Sequence, residues 1–376
     1  MKALNFIDSY GLFVGVILGA GIFGLPYAVA QAGILWGCFH FVLAFLVMML
    51  LHFMYAEITY AIKQRHRLPG YARLCLGEYY ARFATFSLMF GIFGGLLIYG
   101  VLAGIFLEKL MGISSWYLTI TFFIVTAPIL LFDLKKIGGI NFFLTVPLVF
   151  FIILLAGSAF SNVEPTSFKL FDNAKWFLPY GIFLFAFGGN AAIPEMSEIF
   201  HKKHIKEFRR TIFTGMLIPA ALYIIFIISV VGVSGSATTE DALSGLSSIL
   251  GNSIVVLGAL IGFFAVLTSY LALGLDLRGM FHYDYNFGKI RAWLLVISVP
   301  IMLFLFGIDN FIQTLGIVGT VGIGINGSII LLLARHIRKK HKNTIAFLPI
   351  GGLIPVLFIV FWTGLVWQLL SAFGVV

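Results

Sequence analysis

Charge and cysteine are what this chain has least of. Of its 376 residues, 10% are Asp, Glu, Lys or Arg, 61% are hydrophobic, and mean hydropathy is +1.06. A soluble domain carries roughly 25% charged residues, so that class is excluded. The net charge of +9 does not point to nucleic acid, because the basic residues fall in short connections between apolar runs. Two cysteines, Cys38 and Cys75, make no disulfide framework. HExxH, Asp-rich metal motifs and Ser–His sets are missing from the apolar segments, which argues against an intramembrane enzyme. A continuous polar face is missing too, which argues against a channel. No cleavable leader is expected, since the first apolar run continues far beyond a signal core of roughly 7–15 residues.

What is present is a series of long apolar runs. About 20 such residues cross a hydrocarbon core of roughly 30 Å. Eleven spans are expected, near 7–32, 34–62, 83–108, 116–133, 137–160, 174–200, 210–234, 252–276, 290–308, 310–334 and 345–372. The connections are short, so one transmembrane domain should cover 1–376. With the N-terminus cytoplasmic, all of the 24 Lys and Arg except Lys109, Lys169 and Lys175 fall on the cytoplasmic side. That asymmetry sets the orientation and places the C-terminus outside. Cys38 and Cys75 then lie on opposite sides and cannot pair. Spans 1–5 (7–160) and 6–10 (174–334) form two sets. Five is odd, so the second set must run inverted relative to the first. The eleventh span is expected at the periphery.

Two spans are interrupted in the same way. GAGIFGLP runs from Gly19 to Pro26 and FGGNAAIP from Phe187 to Pro194, the two prolines being 168 residues apart. Asp8 to Gly19 and Trp176 to Phe187 are each 11 residues, so both interruptions fall near mid-bilayer. Unwound backbone survives in a membrane only where protein buries it or a cavity needs it. Paired Gly/Pro-interrupted spans are the best sequence pointer to a transporter's binding site. The amides near Ala20, Gly21 and Ile22, opened up by Gly19 and Gly21, suit a substrate carboxylate. The carbonyls near Phe187, Gly188 and Gly189 suit an ammonium. Pro26 and Pro194 are expected where the second half-helix starts. The plainer reading of such glycines is close helix packing. Two matching breaks at matching depth favour binding instead.

The chain resembles the amino acid/auxin permease branch of the amino acid–polyamine–organocation transporters. GAGIFGLPYAVAQAG (Gly19 to Gly33), FAFGGNAAIPE (Phe185 to Glu195) and TSYLALGLD (Thr268 to Asp276) carry the likeness, which covers essentially the whole chain. The third segment is most similar to hydroxy and aromatic amino acid permeases, the first equally to sodium-coupled neutral amino acid transporters. The resemblance implies an all-α, five-plus-five inverted-repeat, leucine-transporter-like fold with an eleventh helix. It also implies secondary transport by alternating access. Matching motifs to the sodium-coupled members would place a sodium ion on the carbonyls of Gly15, Leu18 and Ala265 and the hydroxyls of Thr268 and Ser269. Thr and Ser hydroxyls also bond their own helix backbone, which is the competing reading. Some proton-coupled relatives use a span-5 lysine instead; span 5 here, Ile137 to Phe160, has none. The hydroxy and aromatic permeases are usually regarded as proton-coupled, so sodium and proton both stay open.

Four acidic residues lie in or at the ends of spans. Glu195 follows Pro194, Glu198 lies one turn on, Asp276 ends span 8, and Glu57 sits near the cytoplasmic end of span 2. Ionisable groups there are costly and usually functional. They are expected to form an inner gate or proton relay, or static bridges, with arginines such as Arg73, Arg209 or Arg278. Spans 3 and 10, expected to wall the pocket, hold no charge between Arg82 and Glu108 or between Asp309 and Arg335, so the substrate should be neutral. Gly91, Gly94, Gly95, Gly316, Gly319 and Gly322 either make room for it or let helices touch. Phe185 and Phe187 are candidate aromatic gates, and Asn190 a polar contact. The expected partners are a neutral amino acid, sodium or a proton, and the lipid of a prokaryotic plasma membrane, with no nucleic acid. An exchanger or a transporter-like sensor is the alternative, though the short N-terminus offers no tail for signalling partners.

Overall fold

A computed structural model describes residues 2–62, 66–132, 137–200, 205–340 and 351–372. Several basic residues that set the orientation (Lys63, Arg65, Lys135, Lys136, Lys202, Lys203 and Lys342) and the start of the eleventh span lie outside the described residues. Every regular element among the described residues is helical. The first span is split into α1 (Lys2–Ile17) and α2 (Gly21–Ala32), bent by 43°. Then come α3 (Ile34–Ala61), a short α4 (Leu68–Leu76), α5 (Glu78–Met111), α6 (Ser115–Ile129) and α7 (Ile137–Ala159). The sixth span is also split, into α8 (Leu178–Ala186) and α9 (Ala192–Ile199). The rest are α10 (Ile205–Ser234), a single turn α11 (Ser247–Leu250), α12 (Asn252–Gly279), α13 (Lys289–Leu305), α14 (Phe311–Ile317), α15 (Ile323–Lys340) and α16 (Ile354–Ala372). A π-helical turn, Val318–Gly322, joins α14 to α15.

Among the described residues, seven helices are long and apolar enough to cross a membrane by themselves, and the bent α1–α2 pair makes an eighth. The other expected spans correspond to α6 (15 residues), the interrupted α8–α9 pair and α13 (17 residues). Lipid-facing stripes follow helical spacing. On α3, Leu35, Phe39, Val42 and Leu46 are exposed, while Met48, Leu51 and Tyr55 turn inward.

Three details differ from the sequence expectation. The cytoplasmic connection after span 2 contains α4, started by Pro69 and stopped by Gly77, whose φ is +96°. It is too short and too amphipathic to register as a span. Span 3 is longer than expected, at 34 residues. Pro26 does not start the second half-helix: α2 begins at Gly21 and Pro26 is its sixth residue. The unwinding at Leu18–Ala20 is a glycine effect, and the proline lies inside the helix that follows. Pro194, third in α9, does sit in a first turn, where its missing N–H costs nothing.

The two interrupted spans pack on one another half by half, α1 on α9 and α2 on α8, with α10 against both α1 and α2. Around them α3 packs on α8 and α15, and α12 packs on α5 and α7. α16 lies on α15. The far ends of α2 and α3 are tied to the 163–177 connection, where Ile34 N–H donates to Lys169 O (2.9 Å) and Asp172 N–H to Ala32 O (2.7 Å). Gly33, at φ +91°, is required there: a Cβ would stand 2.5 Å from the Phe171 Cα.

Candidate functional site

At the first break the helical ladder fails for three residues. Gly19 N–H turns back to Ile17 O (2.8 Å), and Ile22 N–H reaches only Gly19 O (3.4 Å). Among the described residues no backbone carbonyl accepts from the Ala20 or Gly21 N–H. The same slip strips the Gly15 and Leu18 carbonyls of their amides. The second break runs from Phe187 to Ala191. Its Gly189 and Asn190 carbonyls are taken by the first amides of α9, whereas those of Phe187 and Gly188 accept no backbone N–H. Free amides at Ala20 and Gly21 of the first break therefore lie beside free carbonyls at Phe187 and Gly188 of the second, in the membrane interior.

The breaks touch directly. A Cβ on Gly21 would lie 2.9 Å from Ala186 Cα and 3.2 Å from Phe185 Cδ1. A Cβ on Gly189 would lie 2.8 Å from Phe13 and 2.9 Å from Ile17. Phe185 is half-buried and sits between the first break and the π turn, close to both Gly21 and Gly319. Phe187 does not lie beside it. It is fully buried between Phe41 and Phe45 of α3 and Tyr223 of α10, at ring separations of 5.4, 5.7 and 5.2 Å. Asn190 has a buried amide oxygen with no hydrogen-bond partner.

Two tyrosines complete the junction, and neither stands out in a chain with 14 of them. Tyr223, fully buried, places its hydroxyl 2.7 Å from Ile17 O and 2.8 Å from Ala186 O, the last helical carbonyls before each break. One phenolic hydrogen serves both, so α10 holds the two broken ends to a common point. Tyr223→Phe keeps the ring packing and removes this link. An unmet buried acceptor costs about 1–3 kcal/mol, so uptake is expected to fall roughly tenfold or more. Uptake and melting temperature measured together check this: an unchanged rate would show the link to be idle. Tyr99, on α5, puts its hydroxyl 3.6 Å from the position of a Cβ on Gly19, and no described group hydrogen-bonds it.

The glycines of spans 3 and 10 divide between contact and space: a Cβ at Gly91 or Gly316 would meet nothing within 4 Å, whereas Gly94 and Gly319 are tightly packed. Gly94 meets Val318, while Gly181 of α8 meets the Gly316 carbonyl and Gly319 the Gly181 carbonyl, at separations that exclude any side chain. A polar crevice of about 470 Å³ lies instead at the far end of α2, lined by Gln31, Thr166, Ser167, Lys169 and Ser234.

The cation donor set is split between elements. Thr268 donates to the carbonyls of Phe264 and Ala265 (both 3.1 Å), and Ser269 to Ala265 (2.9 Å). Both hydrogens are thus turned into their own helix, leaving lone pairs outward. Neutral oxygens of this kind, with the bare carbonyls of Gly15 and Leu18, fit a hard monovalent cation. Yet α12 packs chiefly on α5 and α7 and little on α1, so direct packing does not draw the two halves of the set together.

Two of the acidic residues, Glu57 and Asp276, have partners beyond the three arginines named from the sequence. Glu57 is held by Arg338 of α15 in a two-point pair, 2.7 Å at each contact, with side chains 1% and 5% exposed. Asp276 pairs with Arg67, ahead of α4. Arg73 instead pairs with Glu78 (2.8 Å), and Arg278 donates to the carbonyls of Leu130 and Phe132. These pairings span 281 and 209 residues of sequence, which local spacing cannot forecast. Glu195 and Glu198 are exposed on α9.

Comparison with known proteins gives a consistent result. The family model described as the tryptophan/tyrosine permease family matches residues 2–370. A tryptophan-specific transport protein of Shigella flexneri is 22% identical, over 88% of this chain and 86% of its own. A tyrosine permease of Enterobacter agglomerans is 21% identical, over 93% and 91%. A low affinity tryptophan permease of Escherichia coli (strain K12) is 22% identical, over 96% of each. The crystal structure of MhsT in complex with L-phenylalanine superposes with a TM-score of 0.67 at 16% identity, covering 98% of both chains. That likeness establishes the leucine-transporter-like fold.

Proposed function

The chain belongs to the tryptophan/tyrosine permease family, and from that membership we propose that it carries a neutral aromatic L-amino acid across the membrane by alternating access. The observation that carries the reading is the meeting of the two breaks. Free amides at Ala20 and Gly21 face an α-carboxylate, and free carbonyls at Phe187 and Gly188 face an α-ammonium. Phe185 and the Tyr99 hydroxyl adjoin the first break, where an aromatic side chain would rest. The relatives named for tryptophan and tyrosine transport support the aromatic class.

The protein is a multi-pass membrane protein. Its charge asymmetry supports an N-terminus inside and a C-terminus outside, and its short connections support a prokaryotic plasma membrane. A cation gradient supplies the drive. Were sodium the coupling ion, Gly15, Leu18, Ala265, Thr268 and Ser269 would hold it, and its charge would bring α1 and α12 together. Exchange without a gradient is the second mode that the same site supports.

The test is uptake into proteoliposomes of the purified protein, with labelled tryptophan, tyrosine and phenylalanine beside leucine and serine. Saturable uptake of the aromatic group is expected. Transport of serine or leucine alone would sink the substrate assignment. Under an imposed sodium gradient, Thr268→Ala should cut sodium-driven uptake at least tenfold if the hydroxyl is a ligand. Equal uptake by parent and variant would remove that site.

A further inference from the structure

A buried histidine touches the second break. His52 of α3 is fully buried, and its Nε2 lies 3.0 Å from the Gly189 N. A backbone N–H can only donate, so Nε2 must be the lone-pair nitrogen. A neutral imidazole has one N–H and one lone pair, so the hydrogen sits on Nδ1. That Nδ1 is buried and has no partner. The Phe13 ring of α1 packs edge-on against the imidazole, 5.2 Å between centroids at 83°. The same Phe13 lies against Gly189. His52 therefore contacts both interrupted spans while lying on neither.

Buried polar groups are nearly always hydrogen-bonded, and each exception calls for a reason. Here the orphan donor has an orphan acceptor beside its partner: the Asn190 amide oxygen, one residue beyond Gly189, is also buried and unpaired. The Gly188 carbonyl, one residue before, carries no backbone N–H. The break thus holds free acceptors, and the ring holds a donor that reaches none of them.

Building on the transport reading above, we propose that His52 is the proton-coupling residue of this permease. A proton that binds His52 must take the Nε2 lone pair. Nε2 then becomes a donor facing another donor, and the bond to Gly189 is lost. The resulting imidazolium has two N–H groups and a charge, for which the Asn190 oxygen and the bare carbonyl of Gly188 are acceptors. Proton uptake and movement of the second break are then one event. Release of the proton to the other side restores the Gly189 bond, so one proton crosses per cycle and none is consumed. The elements packed on α3 bring other titratable groups near: Glu195 and Glu198 on α9, Tyr223 and the basic start of α10, Tyr180 on α8, Tyr27 on α2, and Arg335 and Arg338 on α15. On α3 itself Glu57 is engaged by Arg338. None of these described groups interacts with the imidazole, so His52 is available to bind the proton on its own.

The experiment uses labelled L-tryptophan in proteoliposomes, read two ways. Counterflow, with no gradient, reads translocation. Steady-state accumulation, with the outside acidic, reads coupling. His52→Gln retains an oxygen that can accept from Gly189 and cannot titrate. In this variant the ratio of accumulation to counterflow is expected to fall at least tenfold, and the pH dependence of uptake to flatten. Accumulation on a pH gradient at the parent ratio would overturn the proposal while leaving the transport reading intact. So would a parent protein that accumulates tryptophan on a sodium gradient alone. Lack of both counterflow and uptake of any aromatic amino acid by the parent would refute the transport reading itself. Should the variant fail to fold, nitrogen NMR of the histidine-labelled parent decides the matter. One neutral histidine with hydrogen on Nδ1 and a free Nε2 lone pair, losing that lone pair on acidification with tryptophan bound, is expected. No such histidine overturns the proposal.

Discussion

Arg338→Met is expected to lower the stability of the purified protein by about 3–5 kcal/mol, because it strands a buried carboxylate. Glu57 and Arg338 are 1% and 5% exposed and meet at two contacts of 2.7 Å. Two parallel charge-assisted bonds are strong, and their geometry is specific to a guanidinium, so Arg338→Lys should recover only part of the loss. The pair joins α3 to α15 near the basic side of the membrane. Removing both charges tests whether the damage comes from the stranded charge or from the lost link. The double variant Glu57→Leu with Arg338→Met should melt closer to the parent than either single variant, since apolar replacements of buried pairs are often tolerated. Thermal melting of the parent, the three single variants and the double variant in detergent gives the answer. A single variant that melts with the parent would mean the pair is not stabilising.

Gly21→Ala is the counterpart at the junction of the breaks. The added methyl would stand 2.9 Å from the Ala186 Cα, a backbone atom that cannot swing away. Either the breaks separate or α2 rotates, and overpacking of this kind costs about 1–3 kcal/mol. That cost falls where donors and acceptors for substrate face one another. Aromatic amino acid uptake is therefore expected to drop at least tenfold, with the melting temperature lowered by only a few degrees. Gly157→Ala is the control, since its Cβ would meet nothing within 4 Å. Comparable loss in both variants would show that the effect is not local to the breaks.

Much of this fold was legible because a bilayer punishes ambiguity. Runs of apolar residues mark spans, and glycine and proline at mid-depth mark the only places where a span can open. The unwound segments fall close to where GAGIFG and FGGNAA place them; that Phe185, in sequence beside the second break, packs against Gly21 of the first is seen only in the fold. What escaped were groups whose meaning is set by distant partners. Arg338 is 281 residues from Glu57, and nothing local links them. Tyr223 and Phe187 are aromatic residues in an aromatic-rich chain, and only packing separates the one that ties both breaks from the one that fills space behind them. Pro26 misled because proline at a helix start and proline inside a broken helix look alike in sequence. His52 did leave a signal: it is an ionisable side chain in the apolar run LAFLVMMLLHFMYAE, and such residues within spans are functional by default.

The π turn at Val318–Gly322 bears on how this protein can be lined up with its kin. A π turn holds one residue more than the α-helical turn it replaces. Side chains after it are therefore turned by about 100° relative to an uninterrupted helix. Any relative that keeps a plain α-helix here must carry one residue fewer between Phe311 and Lys340 for the same faces to point inward. A gap of one, placed inside a span where gaps are normally penalised, is then the correct alignment. Residues compared without it, from Ile323 onward, would be matched to neighbours on the wrong face, Arg338 among them. Part of the low identity to the permeases named above would then be a matter of phase.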